Sequence, residues 1–400
     1  MTSTTNRNIP KCFWVLALLS SCLFAQTNSE VFLIPLKITE GKKVLGVARN
    51  ISNNPGYDNQ PSFYNDNLML FSSNRSGQTD IASYARNRKE KSWISDTPGG
   101  SEYSPLKIPG KKRISAIRLD EDGLQRLYSY PLEKGKVKEL IPDLKVGYHV
   151  WFNEDIIVCT VLTENRMDLV VANLKKNTHY TVYKNVGRSL HKIPNSQLIS
   201  FVSRDENGDS IRSLDPISGV SEVITQLPRG VQDYCWLLDG TIIAGQENRL
   251  MEFQPGKSAE WSQLHSFLRP DIGNISRVAV NSLSNLLAIV AEASAEIPVQ
   301  AQLEAYNARD IDKFLEPYAD DVEVYDYPDK LLYVGKETMR KNYNLFFRMT
   351  PDLHCELKNR IILRDKVIDE ESVTANGRIF HAVAIYEIKN GKIVKVMFIL

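Results

Sequence analysis

Asp205, Asn207 and Asp209 stand at alternate positions, the spacing at which a calcium loop presents its first three oxygen ligands. A hard cation held in that way needs a glycine for the sharp turn and a bidentate carboxylate to close its shell. Ser210 occupies the glycine position and Pro216 the carboxylate position, so the stretch reads as a tight hairpin turn. After the N-terminal leader, Cys159, Cys235 and Cys355 are the remaining soft ligands and thiol nucleophiles. An odd, scattered set is neither a disulfide framework nor a metal knuckle, and it fits buried or free thiols. Neither metal nor cofactor is expected. Tyr148, Trp151, Tyr234 and Trp236 recur at similar places in the chain and suit packing between repeated units better than a ligand groove.

The elements that carry these residues repeat. Short apolar strand openings fall at Pro61, Pro105, Trp151, Lys192, Trp236 and Ala279, at intervals of 44, 46, 41, 44 and 43 residues. A period in the low forties, with several short strands per unit, marks a β-propeller blade. Each unit continues through a strand, a polar turn and a second strand, as in NLMLFSSNRSGQTDIASY from Asn67 and RISAIRLDEDGLQRLYSY from Arg113. Asp, Asn and Gly supply the positive-φ conformations those turns need. The last unit is incomplete, because Leu286–Glu292 has no partner hairpin after it. Two strands at the front, 30–39 and 42–52, have no blade of their own. Lending them to the last unit closes a six-bladed ring and removes its exposed edges.

Arg7 and Lys11 precede an apolar run from Cys12 to Phe24, too short to span a bilayer comfortably but suited to an export signal over residues 1–26. Leu19-Ser20-Ser21-Cys22 also resembles a lipobox, which would make Cys22 a lipid anchor, although Leu23 and Phe24 carry the apolar run past it. Without the leader, Lys plus Arg falls from 49 to 47 against 48 acidic residues. A near-neutral chain without a basic stripe gives no support for nucleic-acid binding.

YDNQPSF followed by Ser73-Asn74-Arg75-Ser76-Gly77 and a strand ending at Tyr84 resembles the TolB-like (WD40-like) propeller family over residues 30–292. With the leader, the chain is expected to be an exported, periplasmic protein of bacterial type. The resemblance implies a propeller that binds proteins or peptides at its central channel or serves as a rigid platform beside another domain, and the propeller is expected to dock a protein, peptide or glycan.

Residues 294–400 change character. Helical spacing runs over Ile297–Asn307, and a second helix follows over Ile311–Tyr318 with Asp310 as N-cap. A short strand Val322–Asp326 and a third helix Glu337–Met349 come next. Four long strands end the chain, with a hairpin at Asn390-Gly391. This is an α+β cone, a curved antiparallel sheet with helices. ARDIDKFLEPYADDVEVYDYP, YVGKETMRKNY and the final GKIVKVMF resemble the NTF2-like superfamily, in particular its SnoaL-like and ketosteroid-isomerase-like members.

That resemblance implies a ligand pocket formed by Gln302, Tyr306, Tyr318, Asp326, Tyr343 and Val383. Asp326 matches the carboxylate base of ketosteroid-isomerase-like enzymes, and Tyr343 their supporting tyrosine. The oxyanion donors are missing: Gln302 replaces the catalytic tyrosine, and Val383 or Ala384 replaces the protonated acid. Such donors are worth roughly 3–4 kcal/mol each, so ketosteroid isomerisation is rejected. His381 shares the strand parity of Val383 and reaches the cavity if Val383 faces it.

The sequence therefore predicts a multidomain exported protein, an all-β six-bladed propeller followed by an NTF2-like cone. Its expected function is binding, with a small apolar molecule in the cone and a protein or peptide at the propeller. One alternative is a cofactor-free SnoaL-like enzyme of isomerase, cyclase or hydrolase type, with Asp326 as general base. The other is a scaffold that forms a homodimer through the NTF2-like sheet.

Overall fold

The computed structural model describes residues 28–399, apart from 55, 134, 207 and 364. The export signal and Cys22 lie outside the described residues, as does Asn207.

Six sheets of the repeat region form six blades, five of them plain four-stranded meanders. The first contains Asp58–Phe63, Leu68–Arg75, Gln78–Ala85 and Glu90–Trp93, in spatial order. Its central hairpin turns at Ser76 (φ 51°) and Gly77 (φ 86°), both in the positive-φ region that a two-residue turn matched to strand twist requires. Arg75 leaves this turn as a clamp: its Nε lies 3.1 Å from Asp80 Oδ2, and its guanidinium carbon sits 4.6 Å from the Trp93 ring centroid.

Ring closure follows the sequence expectation. In the sixth blade Asn274–Val280 and Leu286–Glu292 come from the end of the repeat region, and Ser29–Thr39 and Lys42–Leu45 from its start. Ser29–Thr39 runs antiparallel to Leu286–Glu292 in an unbroken register from Ser29 opposite Glu292 to Pro35 opposite Leu286. Phe32 and Ile34, fully buried on this strand, join Leu287 and Ile289 in a cluster that reaches into the fifth blade through Ile243 and Leu250. The two chain ends of the propeller are thereby held by a ladder and a shared core, and neither leaves an open edge.

Blades are stitched by a recurring polar device. Ser115 Oγ lies 2.8 Å from Trp151 Nε1 and 2.7 Å from His149 Nε2 of the next blade. In the same way Ser200 Oγ accepts from Trp236 Nε1 and Tyr234 Oη, each at 2.8 Å. The recurring aromatics of the sequence include these two tryptophans, which pack between blades.

The C-terminal elements form one six-stranded curved sheet with three helices. Helices α1 (Glu296–Ala308), α2 (Ile311–Leu315) and α3 (Lys336–Met349) pack on its concave side. Asp310 caps α2 as expected, accepting the Lys313 backbone N–H at 3.2 Å. This helix is shorter than its sequence predicts, because Pro317 cannot continue it and Tyr318 already begins the strand Tyr318–Asp326. The strand Lys330–Val334, which the sequence reading omits, extends the sheet edge beside it. The remaining order is Lys392–Ile399, Arg378–Lys389, Lys366–Ala375 and His354–Leu363. Val299, Phe314, Val322, Val324, Met339 and Ala384 anchor the core between helices and sheet.

Candidate functional site

A cavity of about 930 Å³ lies inside the cone. Gln302 and Tyr306, one helical turn apart on α1, enter it from the same helix face. Phe314, Tyr343 and Phe346 complete the helical wall, and Phe314 stacks 4.5 Å from Tyr343, centroid to centroid. The sheet contributes Cys355, Glu371, Tyr386 and Phe398. On Lys366–Ala375 the odd positions point inward, so Val367, Asp369, Glu371 and Ala375 are all buried. On the neighbouring strand the inward set is Ala382, Ala384 and Tyr386.

The buried end of the cavity is polar and directed. Tyr318 Oη donates to Gln302 Oε1 at 3.2 Å, and Gln302 Nε2 donates to Tyr386 Oη at 3.1 Å. Tyr386 Oη donates in turn to Glu371 Oε1 at 3.3 Å. All four side chains are buried. Every donor therefore points along the chain towards the Glu371 carboxylate, and such an arrangement polarises itself in a low dielectric. Behind it, Asp369 is fully buried and held by a two-pronged contact with Arg360, Nε to Oδ1 at 2.7 Å and Nη2 to Oδ2 at 2.6 Å.

Burial pushes the Glu371 carboxyl up to about 7, and the like charge of Asp369 adds to this. The hydrogen bonds from Tyr386 and Cys355 and the charge of Arg360 oppose the shift without cancelling it. Burial also raises the phenols of Tyr318 and Tyr386 above their ordinary values, so both are neutral donors. The site thus holds a carboxyl that can give or take a proton near neutrality, connected to three neutral hydrogen-bonding groups, under an aromatic roof.

Of the residues expected from sequence, the structure brings Gln302, Tyr306, Tyr318 and Tyr343 together in the lining, with His381 at the exposed mouth. Asp326 and Val383 are not in the lining. Asp326 is opposite Phe398 in register, but it ends its strand, and its half-exposed carboxylate pairs with Lys330 Nζ at 3.0 Å. Val383 falls on the outward parity of its strand, and Ala384 is the residue that faces the core. The sequence reading missed Glu371, Tyr386 and Cys355. Its available signal was Val367, Val373 and Ala375 at period two, a stripe that carries Asp369 and Glu371 with it.

Among the described residues, no group of three or more His, Cys, Asp or Glu is placed to hold a metal ion.

Residues 299–396 match the model of the SnoaL-like domain family. A putative TolB from Agrobacterium tumefaciens is similar in structure, with a TM-score of 0.53 and 12% identity over 66% of this chain and 98% of that one. An uncharacterised cystatin-fold protein from Novosphingobium aromaticivorans is 28% identical over 27% of this chain and 98% of that one, with a TM-score of 0.26. A SnoaL-like protein of unknown function from Burkholderia thailandensis is 27% identical over 26% of this chain and 92% of that one, with a TM-score of 0.24. No curated protein matches the sequence. The chain joins a propeller of TolB-like fold to a SnoaL-like domain.

Proposed function

We propose that this chain is an exported binding protein whose cone cavity takes a small, largely apolar molecule bearing one hydrogen-bonding group. The propeller is the platform for a protein, peptide or glycan partner. The observation that carries the cavity reading is the chain from Tyr318 through Gln302 and Tyr386 to Glu371, at the buried end of an aromatic and aliphatic chamber. Pockets of about 300–1,000 Å³ with few polar groups are typical of small-molecule sites, and this one fits that description. Native mass spectrometry of the mature chain tests it: a co-purifying small molecule is retained by the wild type and lost from Glu371→Gln. An empty wild-type cavity under gentle desolvation argues against the reading. The leader, with Arg7 and Lys11 ahead of an apolar run, supports export to the periplasm, and N-terminal sequencing of the secreted chain checks its removal.

An enzyme reading draws on one further feature, a buried carboxyl in the cavity lining, Glu371, bonded to Tyr386 and lifted by burial to about 7. In that reading Glu371, instead of Asp326, is the general base on a carbonyl-containing substrate, and the cavity polar groups steady the developing negative charge. A rate that rises through an apparent pKa near that value and vanishes in Glu371→Gln supports it.

The scaffold reading draws on a row across the outward face of the sheet. Ile361, Ile368, Ile385 and Met397 are successive register partners there, and Tyr325 follows Met397. It predicts a homodimer through this face, dissociated by Ile385→Asp and unaffected by Glu371→Gln, with mass measured by light scattering.

A further inference from the structure

The innermost strands of the six blades surround a second cavity of about 440 Å³, the central channel of the propeller. Two guanidinium groups meet in it from different blades. Arg277, on Asn274–Val280, is only 8% exposed. Its Nη1 lies 3.4 Å from Asp233 Oδ1, and its guanidinium carbon lies 5.3 Å from the Tyr148 ring centroid. Arg188, on Val186–Lys192, reaches across to the sixth blade and donates from Nη2 to the Ser276 carbonyl at 2.9 Å. The Nε of each arginine is buried and has no hydrogen-bond partner, and the same holds for Ser276 Oγ.

The charges here do not balance. Asp233 is the carboxylate in the lining, and it is already occupied: Oδ2 accepts the Val278 N–H at 3.0 Å, while Oδ1 faces Arg277. His149 and His191 are kept neutral by burial, so they add no charge, and Lys192 at the exposed rim adds a positive one. Burial and the neighbouring Arg277 pull the half-buried Arg188 guanidinium below its ordinary value, and the charge of Asp233, which is bonded to Arg277, opposes this without cancelling it. Holding a charge out of water without an ion-pair partner costs free energy, and the one inter-blade bond of Arg188, to the Ser276 carbonyl, is to a neutral acceptor. Two planar guanidinium forks lining one cavity, with a single carboxylate against one of them, match a planar anion with paired oxygens.

We propose that the central channel binds its ligand by a carboxylate group, with Arg188 and Arg277 as the receiving forks. This deepens the reading of the propeller as a binding platform by naming the group it recognises. The carboxylate belongs either to a small free acid or to the C-terminal end of a peptide chain.

Calorimetric titration of the full mature chain tests this with three probes: succinate, the tripeptide Ala-Ala-Ala with a free C-terminus, and the same tripeptide as its C-terminal amide. The expected result is saturable binding of at least one free-carboxylate probe, none of the amide, and at least tenfold weaker binding in Arg188→Gln. Succinate binding alone assigns the site to small acids, and tripeptide binding alone assigns it to chain ends. Arg188→Gln removes a half-buried charge that has no ion-pair partner and keeps an amide donor for the Ser276 carbonyl, so without ligand it melts at or above the wild-type temperature, which separates lost recognition from lost folding. Arg188→Lys restores charge without the fork and recovers only part of the affinity. Equal binding of the amide overturns carboxylate recognition and leaves a peptide platform standing. Binding by none of the probes, or unchanged affinity in Arg188→Gln, overturns the site itself.

Discussion

The hydroxyl of Tyr386 lies 3.3 Å from Oε1 of Glu371, and the two side chains are buried on adjacent strands of the cone with their polar atoms in one cavity. The phenol donates to the carboxylate, which favours the charged form, yet burial and Asp369 win and hold the carboxyl at about 7. The sign for stability follows directly. The folded state keeps a proton that the unfolded chain, with the ordinary glutamate value of 4.5, has already lost. Folding stability associated with Glu371 is therefore fully present below that value and declines as pH rises through about 7. The expected loss across this window is up to about 3 kcal/mol. Thermal melts of wild type and Glu371→Gln between pH 4 and pH 8 check it: the variant gains on the wild type as pH rises.

Cutting the chain of donors at Tyr386 has a distinct outcome. Tyr386→Phe removes the hydroxyl that links Gln302 to Glu371 and leaves both without that partner. A hydrogen bond to a charged group contributes about 1.5–3 kcal/mol, so the apparent pKa of Glu371 moves further up in the variant. Titration of the Glu371 carboxyl followed by carbon-detected NMR reads this shift, which a purely packing role for Tyr386 does not produce.

Asp326 serves as the matched control. Its ion pair with Lys330 is at the surface, with side-chain exposures of 36% and 73%. Exposed pairs of this kind contribute about 0–1 kcal/mol. Asp326→Asn is expected to leave melting temperature, ligand retention and any proton-transfer rate close to wild type. A large loss in any of these returns Asp326 to the site.

Much of the architecture was legible because it left traces along the chain. An incomplete last repeat and two unassigned strands at the front have one economical arrangement, and Ser29–Thr39 adopts it beside Leu286–Glu292. Asp310 could be recognised because an N-cap is a local feature, decided by a few neighbouring atoms. The cavity chemistry was harder for a reason peculiar to sheets. A slip of one residue exchanges the faces of a strand, and that ambiguity separates Val383 from Ala384. In Lys366–Ala375 both faces carry polar residues, so the apolar stripe of Val367, Val373 and Ala375 that places Glu371 inward and Glu370 outward is easily overlooked. Asp326 was expected in the pocket from its place in the resemblance, and its carboxylate instead pairs with Lys330 across the turn at the surface.

The stitching between blades makes the last prediction. Ser200 is fully buried, and its hydroxyl receives both Trp236 Nε1 and Tyr234 Oη from the following blade. Ser115 repeats the device with Trp151 and His149, and serine and tryptophan are 36 residues apart in both cases. Removing the hydroxyl leaves two donors buried together, and an unsatisfied buried donor costs about 1–3 kcal/mol. Ser200→Ala should therefore destabilise the propeller by about 2–4 kcal/mol, seen as a lower urea midpoint at an unchanged slope. Ser213 sits on the next strand of the same blade, half-buried, and its hydroxyl donates to the Glu222 carbonyl at a long 3.4 Å. Ser213→Ala should fall within about 0.5 kcal/mol of wild type. If the two substitutions cost the same, the shared hydroxyl is incidental and apolar packing alone aligns the blades. If Ser200→Ala costs several times more, adjacent blades are held in register by single polar atoms set between aromatic side chains.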